Sequence, residues 1–376
     1  MSDDSGVFRL LQNHLDQQAV GFPAAESGAD VRLLKKVFSP DEAALALQLS
    51  YRPTSLAQIV ERGGPGSSAE RVSGLLDSMF MKGAIAWRER GGVNQWYLHP
   101  LLVGMFEAAQ DGVPAPGFLT EMGAYLETGK FVKAFVASRP SQVRVVPVNK
   151  SIKVEHHVAT YDDLRAVITA APGPFAVLKC LCREMKSAGG QPCTKTARQE
   201  TCLALNDMAA AVLRRAHGRE VTREEMLSLL QQGEDDGLVL QPSNAQQPDF
   251  VCACCGCCCG LLGIQKRVPR PADFWATSYQ CAVDTEACSL CAECVPRCQV
   301  GALTMAAAGG AAQIDLGRCI GCGLCVPACP TDALQLKRKE PATVPPRDPE
   351  ALYEEIMANR TRSNPGRGQR SRCRIP

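Results

Sequence analysis

Apolar and polar positions near the start of the chain recur with helical spacing in three consecutive segments. The pattern predicts helices over residues 40–49, 54–61 and 68–82, with Ser39 and Thr54 at the N-caps of the first two. The period then changes to the alternation of β-strands. AIAWRER and VNQWYLHP flank Gly91-Gly92, which predicts a β-hairpin that turns at the two glycines.

Three helices followed by a hairpin resemble a winged helix-turn-helix domain, here over residues 39–100. Such a domain reads DNA when its third helix carries several basic or amide side chains. The basic candidates on the third helix and hairpin are Arg71, Lys82, Arg88 and Arg90. They are interspersed with Glu70, Asp77 and Glu89. We therefore favour a protein-docking or dimerisation module over nucleic-acid binding, since a fold does not fix a function.

A different pattern follows residue 140. The apolar run over residues 175–178 predicts a buried strand, and residues 200–216 read as a helix that ends before Gly218. Thr222 and Glu225 have the spacing of a capping box at the start of another helix. Leu-Val-Leu at residues 238–240 then predicts a second strand. These elements indicate an α/β region.

Composition places this chain among reduced intracellular proteins. It has 376 residues, enough for two or three domains, and 41 Lys and Arg balance 39 Asp and Glu. The first residues are acidic and lack a secretory leader pattern, and no apolar run is long enough to span a bilayer. We expect a cytoplasmic protein in which the 20 cysteines are metal ligands rather than disulfides.

Eight of these cysteines form a repeat, C-x2-C-x2-C-x3-C, that occurs twice at an offset of 31 residues. The repeated cysteines are Cys288, Cys291, Cys294, Cys298, Cys319, Cys322, Cys325 and Cys329. Gly321 and Gly323 permit a close approach of the backbone in the second copy. Thiolates suit iron–sulfur clusters and zinc alike, but zinc ribbons use pairs of C-x2-C rather than three cysteines at this spacing.

The repeat resembles the bacterial-type ferredoxin with two 4Fe–4S clusters, over residues 284–336. The resemblance implies crossed ligation, in which the last cysteine of each copy serves the other cluster. It implies Cys288, Cys291, Cys294 and Cys329 for cluster 1, and Cys298, Cys319, Cys322 and Cys325 for cluster 2. The family's Cys-Pro pair is present at Cys329-Pro330, whereas Gln299 follows Cys298.

Cysteines upstream of the repeat predict a third cluster. Cys180, Cys182, Cys193 and Cys202 lie within 23 residues, although their spacing matches no standard motif, and some could instead be buried thiols. The string CACCGCCCG adds six more cysteines: Cys252, Cys254, Cys255, Cys257, Cys258 and Cys259. Neighbours on an extended chain point to opposite faces, so these six cannot all reach one centre. They complete the third cluster, hold a fourth, or act as redox thiols.

Residues 141–336 together resemble a widespread group of multi-domain 4Fe–4S proteins of anaerobic metabolism, and this resemblance implies electron transfer. We expect an α+β, multi-domain fold with a winged-helix module, a central cysteine-rich α/β region and a C-terminal ferredoxin-like domain. The expected boundaries are 1–38 (N-terminal extension), 39–110 (winged helix), 111–140 (connecting helical segment), 141–270 (central domain), 271–340 (ferredoxin domain) and 341–376 (basic tail, disordered at its end).

The functional hypothesis is a relay of single electrons between partner oxidoreductases. The alternatives are a redox-sensing DNA-binding regulator, and a reductase subunit with a catalytic cluster at the six-cysteine loop. No nucleotide-binding glycine pattern or nucleophile–base pair indicates a self-contained enzyme. Cys281 and Cys373 are interpreted as spare thiols, and His156-His157 as part of a strand or loop rather than a metal site.

Overall fold

The computed structural model describes residues 5–63, 68–108, 117–152, 159–340 and 343–363. It divides into two compact units, Met1–Gln142 with Tyr353–Pro376, and Val143–Leu352. Both units mix helices with small sheets. The described ranges exclude His156-His157, Cys373 and the end of the basic tail, together with Gly64–Gly66 of the expected turn before the third helix.

The first unit begins with helices and one small sheet. Its elements in chain order are α1 (Ser5–Asp16), α2 (Ala29–Val37), α3 (Pro40–Ala46), β1 (Thr54–Ser55), α4 (Leu56–Arg62), α5 (Ala69–Met81), β2 (Ala86–Arg90), β3 (Val93–Tyr97), a π-type turn (Leu101–Met105), α6 (Phe118–Glu127) and α7 (Lys130–Ala137).

The three predicted helices and the hairpin of this unit are confirmed. Ser39 caps α3 as predicted, but the second cap is Ser55 rather than Thr54, which lies in β1. The strands form an antiparallel sheet in the order β1-β3-β2, with Trp87 opposite Trp96. Leu76 of α5 and Trp96 are both buried, so the helix and the sheet bury their apolar faces.

The second unit contains a larger set of elements. In chain order they are β4 (Arg144–Val145), short 3-10 helices (Asn149–Ser151, Thr160–Asp162), α8 (Leu164–Ala170), β5 (Phe175–Lys179), α9 (Leu181–Ala188), β6 (Glu200–Leu205), α10 (Asn206–Arg214), β7 (Arg219–Glu220), α11 (Arg223–Asp235), β8 (Val239–Pro242), β9 (Phe250–Cys254), α12 (Gly260–Arg267), a 3-10 helix (Pro271–Asp273), β10 (Ala276–Thr277), β11 (Tyr279–Val283), a 3-10 helix (Val295–Arg297), β12 (Leu303–Met305), a 3-10 helix (Ala307–Gly309), β13 (Ala312–Ile314), a 3-10 helix (Val326–Ala328) and β14 (Leu334–Arg338).

A five-stranded antiparallel sheet, in the order β7-β5-β6-β9-β8, organises the central part of this unit. The buried strand predicted from the apolar run is β5, and Thr222 caps α11 as the capping-box spacing predicts. The helix predicted over residues 200–216 was wrong for its first part. Residues 200–205 form β6, because they pair with strands on both sides, and α10 begins only at Asn206.

The end of the second unit contains two short antiparallel ladders, β11 with β14 and β12 with β13. A last helix, α13 (Pro349–Ser363), was not predicted, and its residues from Tyr353 onward belong to the first unit. Across the described ranges, each helix is too short or too polar to cross a bilayer.

Candidate metal centres

The two copies of the cysteine repeat adopt the same local structure. In each copy a 3-10 turn follows the third cysteine and ends at the fourth: Cys294 and Cys298 bracket Val295–Arg297 in the first copy, and Cys325 and Cys329 bracket Val326–Ala328 in the second. A proline at the second position of each cysteine-bracketed segment favours this turn, since its backbone angle is fixed and its missing N–H is not needed there. The sequence repeat is therefore a structural repeat.

One recess collects cysteines from both copies. It has about 310 Å³ of empty space and lies between the two ladders. The cysteines that line it are Cys288, Cys291, Cys294 and Cys329. Three come from the first copy and one from the end of the second. The neighbours are apolar, among them Val283 and Leu334, and the set offers four sulfurs to one group.

A second recess, with about 360 Å³ of empty space, has the complementary set. The cysteines of the repeat that line it are Cys298, Cys319, Cys322 and Cys325. Backbone N–H groups already point at two of these sulfurs. Ala302 N lies 3.0 Å from the Sγ of Cys298, and Cys281 N lies 3.4 Å from the Sγ of Cys319. Such donors stabilise negative charge on ligating sulfur.

Cys281 also lines the second recess, and sequence analysis did not place it there. It is buried on β11, and the sulfurs of Cys281 and Cys325 are 3.5 Å apart. The signal that could have placed it is the pairing of β11 with β14, which joins the segment before the first copy to the segment after the second. Cys281 contributes both a backbone donor and a thiol to this recess.

The close backbone approach expected at the glycines of the second copy is present, but its partners are protein groups. A Cβ at Gly321 would lie 2.2 Å from the carbonyl oxygen of Tyr279, and one at Gly323 would lie 2.1 Å from the hydroxyl of Ser151. Both glycines also have positive φ angles, 67° and 74°. The second copy is therefore packed too closely for side chains at these two positions.

The structure places three of the four central cysteines, Cys180, Cys182 and Cys202, in one set of sulfur contacts and Cys193 in another. Cys180 and Cys182 lie at the start of α9 and hydrogen-bond each other, and Cys182 also contacts Cys259. Cys202 lies on β6 directly opposite Cys252 on β9. Hydrogen bonds from the Cys252 and Cys259 thiols lower the pKa of Cys254 to about 6. These cysteines form one continuous sulfur-rich layer at an end of the sheet.

Cys193 belongs to a different set. Its Sγ lies 3.5 Å from that of Cys255 and 3.7 Å from that of Cys257, and the sulfurs of Cys257 and Cys258 are also 3.7 Å apart. The four sulfurs all lie within 4.8 Å of one another. The six-cysteine loop is thus divided between two sets, because a turn follows β9 and interrupts the strand alternation.

A buried arginine lies beside both central groups. The side chain of Arg183 is 1 % exposed, and its guanidinium donates to Thr201 Oγ1 at 2.5 Å and to the carbonyl of Ala253 at 3.2 Å. Burial lowers the pKa of Arg183, but the neighbouring sulfurs of Cys255 and Cys180 outweigh that effect and raise it. A buried cation against sulfur favours ionised thiolates, the form that binds metal.

Comparison with known proteins supports the metal assignment for the second copy. The 4Fe-4S binding domain family matches residues 312–335, which contain Cys319, Cys322, Cys325 and Cys329. No curated protein and no solved structure matches the chain. The family match and the cysteine groups support an iron–sulfur protein with at least one 4Fe–4S cluster and a redox or electron-transfer role.

Proposed function

We propose that this chain is an electron-transfer protein that passes single electrons between partner oxidoreductases through two 4Fe–4S clusters. Cluster 1 is held by Cys288, Cys291, Cys294 and Cys329, and cluster 2 by Cys298, Cys319, Cys322 and Cys325. The main support for the proposal is that the last cysteine of each copy of the repeat lines the recess of the other copy's first three cysteines. A pair of clusters linked in this way is suited to moving electrons from one surface of a domain to another.

The cluster supplies the one-electron redox chemistry, and the chain sets its environment. Apolar side chains line much of both recesses, and Cys294, Cys319 and Cys325 are buried. The backbone N–H groups of Ala302 and Cys281 stabilise the more negative, reduced state by donating to sulfur. Backbone N–H groups of Thr331, Ala333 and Leu334 likewise donate to the sulfur of Cys329 in cluster 1, so both clusters receive such donors.

The first unit fits a docking role better than DNA binding. Arg71 on α5 is paired with Asp41, and Lys82 at the end of α5 is paired with Glu42. The side chain of Arg88 is buried and donates to Gln95 on the neighbouring strand. These basic groups are therefore engaged by their own unit, whereas DNA recognition needs them directed at phosphates and bases. We place the contact with redox partner proteins on this winged-helix module, in a cytoplasmic setting.

The test is a measurement of iron and acid-labile sulfide on protein purified without oxygen, with EPR of the reduced state. The proposal expects at least about eight irons and a matching amount of sulfide per chain, since each cluster holds four. Cys291→Ser and Cys322→Ser should each remove a different EPR signal. The protein should accept electrons from a low-potential protein donor and return them to a protein acceptor.

Cys281→Ser is the matched control, because this thiol lies in the second recess but outside both copies of the repeat. It should retain both EPR signals. Protein without labile sulfide, or loss of one common signal in both ligand variants, would contradict the two-cluster relay. Salt-dependent DNA binding that changes with cluster oxidation would instead favour the regulator.

A further inference from the structure

The compact sulfur set of Cys193, Cys255, Cys257 and Cys258 differs from the two recesses in scale. Its sulfur–sulfur contacts are 3.5 Å, 3.7 Å and 3.7 Å, and all four sulfurs lie within 4.8 Å of one another. Among the described residues, this is the group of cysteines that is close enough for every sulfur to reach one ion. The cysteines of the repeat instead surround open recesses.

This spacing is that of a single tetrahedral ion. Four sulfurs at the usual zinc–sulfur distance of about 2.3 Å occupy the corners of a tetrahedron whose edges are about 3.8 Å. A 4Fe–4S cluster places four irons and four sulfides inside its cysteines, so its ligands must stand farther apart. The contacts in the compact set leave room for one atom and not for a cluster.

The backbone that carries three of the sulfurs is held in place. The Cys258 and Cys259 N–H groups both donate to the carbonyl of Cys255, which closes the turn after β9. Within that turn, Gly256 N donates to the side-chain oxygen of Gln299 at 2.8 Å, and Lys266 donates to the Gly256 carbonyl at 2.7 Å. Fixed ligands and fixed outer contacts are what a metal site requires.

Charge also fits. Four thiolates around a divalent ion carry a net charge of −2, which is costly in a partly buried site unless a cation compensates it. The buried guanidinium of Arg183 lies beside this set, and Cys255 is among its hydrogen-bond partners. Cys255 and Cys258 are themselves buried, so the compensating cation is needed inside the protein.

We propose that Cys193, Cys255, Cys257 and Cys258 bind one zinc ion as a closed structural site, separate from the two iron–sulfur clusters. All four positions of the ion are taken by protein sulfur, so no position is left for a substrate. The ion ties the loop after α9 to the six-cysteine loop. Gly256, between two of these cysteines, is hydrogen-bonded to Gln299, which follows Cys298 of cluster 2. The zinc therefore also stabilises the edge of the ferredoxin-like region.

The experiment uses the full chain, produced with both iron and zinc supplied and purified without oxygen. Metal analysis should give about one zinc per chain in addition to the iron, and the zinc X-ray absorption spectrum should show four sulfurs at about 2.3 Å. Cys257→Ser should lose zinc while it keeps its iron and labile sulfide. Cys252→Ser, in the same string but outside the set, should keep the zinc.

The wild-type spectrum tests the site even if a variant fails to fold. Absence of zinc from the wild-type protein, or a zinc spectrum with oxygen or nitrogen ligands, would overturn the proposal. Loss of iron and sulfide together in Cys257→Ser would overturn it in favour of a cluster at these cysteines. Each of these results is independent of the two-cluster relay, which depends on iron and sulfide in the Cys291→Ser and Cys322→Ser variants.

Discussion

Leu290 and Ala292 occupy left-handed backbone conformations, with φ angles of 62° and 60°. They stand 31 residues before Gly321 and Gly323, so the same backbone shape recurs in both copies of the repeat, once with side chains and once without. A side chain in this conformation costs about 1–2 kcal/mol. Strain of this kind persists where the surroundings impose it, and here it lies between cysteines that we propose as ligands of cluster 1.

Ala292→Gly should therefore stabilise the protein, by up to about 1.6 kcal/mol. Relief of about 1–2 kcal/mol of strain exceeds the roughly 0.4–1 kcal/mol by which glycine favours the unfolded chain. The matched change in the other copy, Gly323→Ala, should destabilise by at least about 2 kcal/mol, because its Cβ would lie 2.1 Å from the Ser151 hydroxyl. Denaturant unfolding of the holoprotein measures both. If both substitutions stabilised the protein, or both destabilised it, the two copies would not share this strained backbone conformation.

The eight repeat cysteines could be proposed as ligands from the sequence because their spacing is local. The structure groups these cysteines around two recesses. The sequence did not predict the grouping of Cys193 with Cys255, because the two cysteines are 62 residues apart in the chain. The pairing of β6 with β9 brings the two segments together, and no local pattern encodes it.

At the scale of elements, Gln299 connects two parts of the second unit. It replaces the proline expected after Cys298, and its buried side chain accepts from Gly256 N at 2.8 Å and donates to the carbonyl of Gly237 at 3.0 Å. The departure from the ferredoxin pattern thus has a structural reason. A proline at this position would remove both contacts, one with the six-cysteine loop at Gly256 and one with the turn between α11 and β8 at Gly237.

Gln299→Ala should destabilise the second unit by about 2–3 kcal/mol, since it leaves a partly buried N–H and a buried carbonyl without this partner. Gln313→Ala, at an exposed position on β13, should change stability by less than about 0.5 kcal/mol. Chemical denaturation followed by the visible absorption of the clusters gives both values. Equal stability of the two variants would show that the Gln299 contacts do not brace the loop.

Elements with strong local signals were predicted well, and the exceptions have either a tertiary cause or a weak local pattern. Helix caps and the two glycines of the hairpin predicted α3, α4, α5 and the hairpin strands to within about three residues, whereas α1 and α2 were not predicted. Residues 200–205 were assigned to a helix because their own pattern is ambiguous, and their pairing with both β5 and β9 decides for a strand. α13 was missed because its apolar positions are sparse.

At the scale of the molecule, the chain returns at its end to the unit in which it began. α13 contributes Arg360, whose guanidinium donates to the backbone carbonyls of Asp16 and Gln18. Its Glu354 pairs with Arg52 and accepts a hydrogen bond from Tyr51 at 3.0 Å. These contacts join residues more than 300 positions apart, so local sequence patterns do not reveal them.

Because the chain forms two units, we predict that a substitution in the first unit lowers the stability of that unit without changing the metal content of the protein. Arg360→Ala removes donors to two carbonyls in the first unit, at a cost of about 1–2 kcal/mol, and should lower that unit's melting temperature by roughly 2–8 °C. Iron and zinc content should be unchanged, because the proposed ligands all lie within residues 143–352.

Calorimetry of the holoprotein, before and after iron is removed with a chelator, separates the two effects. Chelation should lower the transition of the second unit, whose folding is coupled to its metals, and leave the Arg360→Ala shift intact. Arg362→Ala, an exposed position two residues further along α13, serves as the control and should melt like the wild type. Loss of iron in Arg360→Ala would mean that the first unit supports the clusters directly, and the relay would then depend on both units.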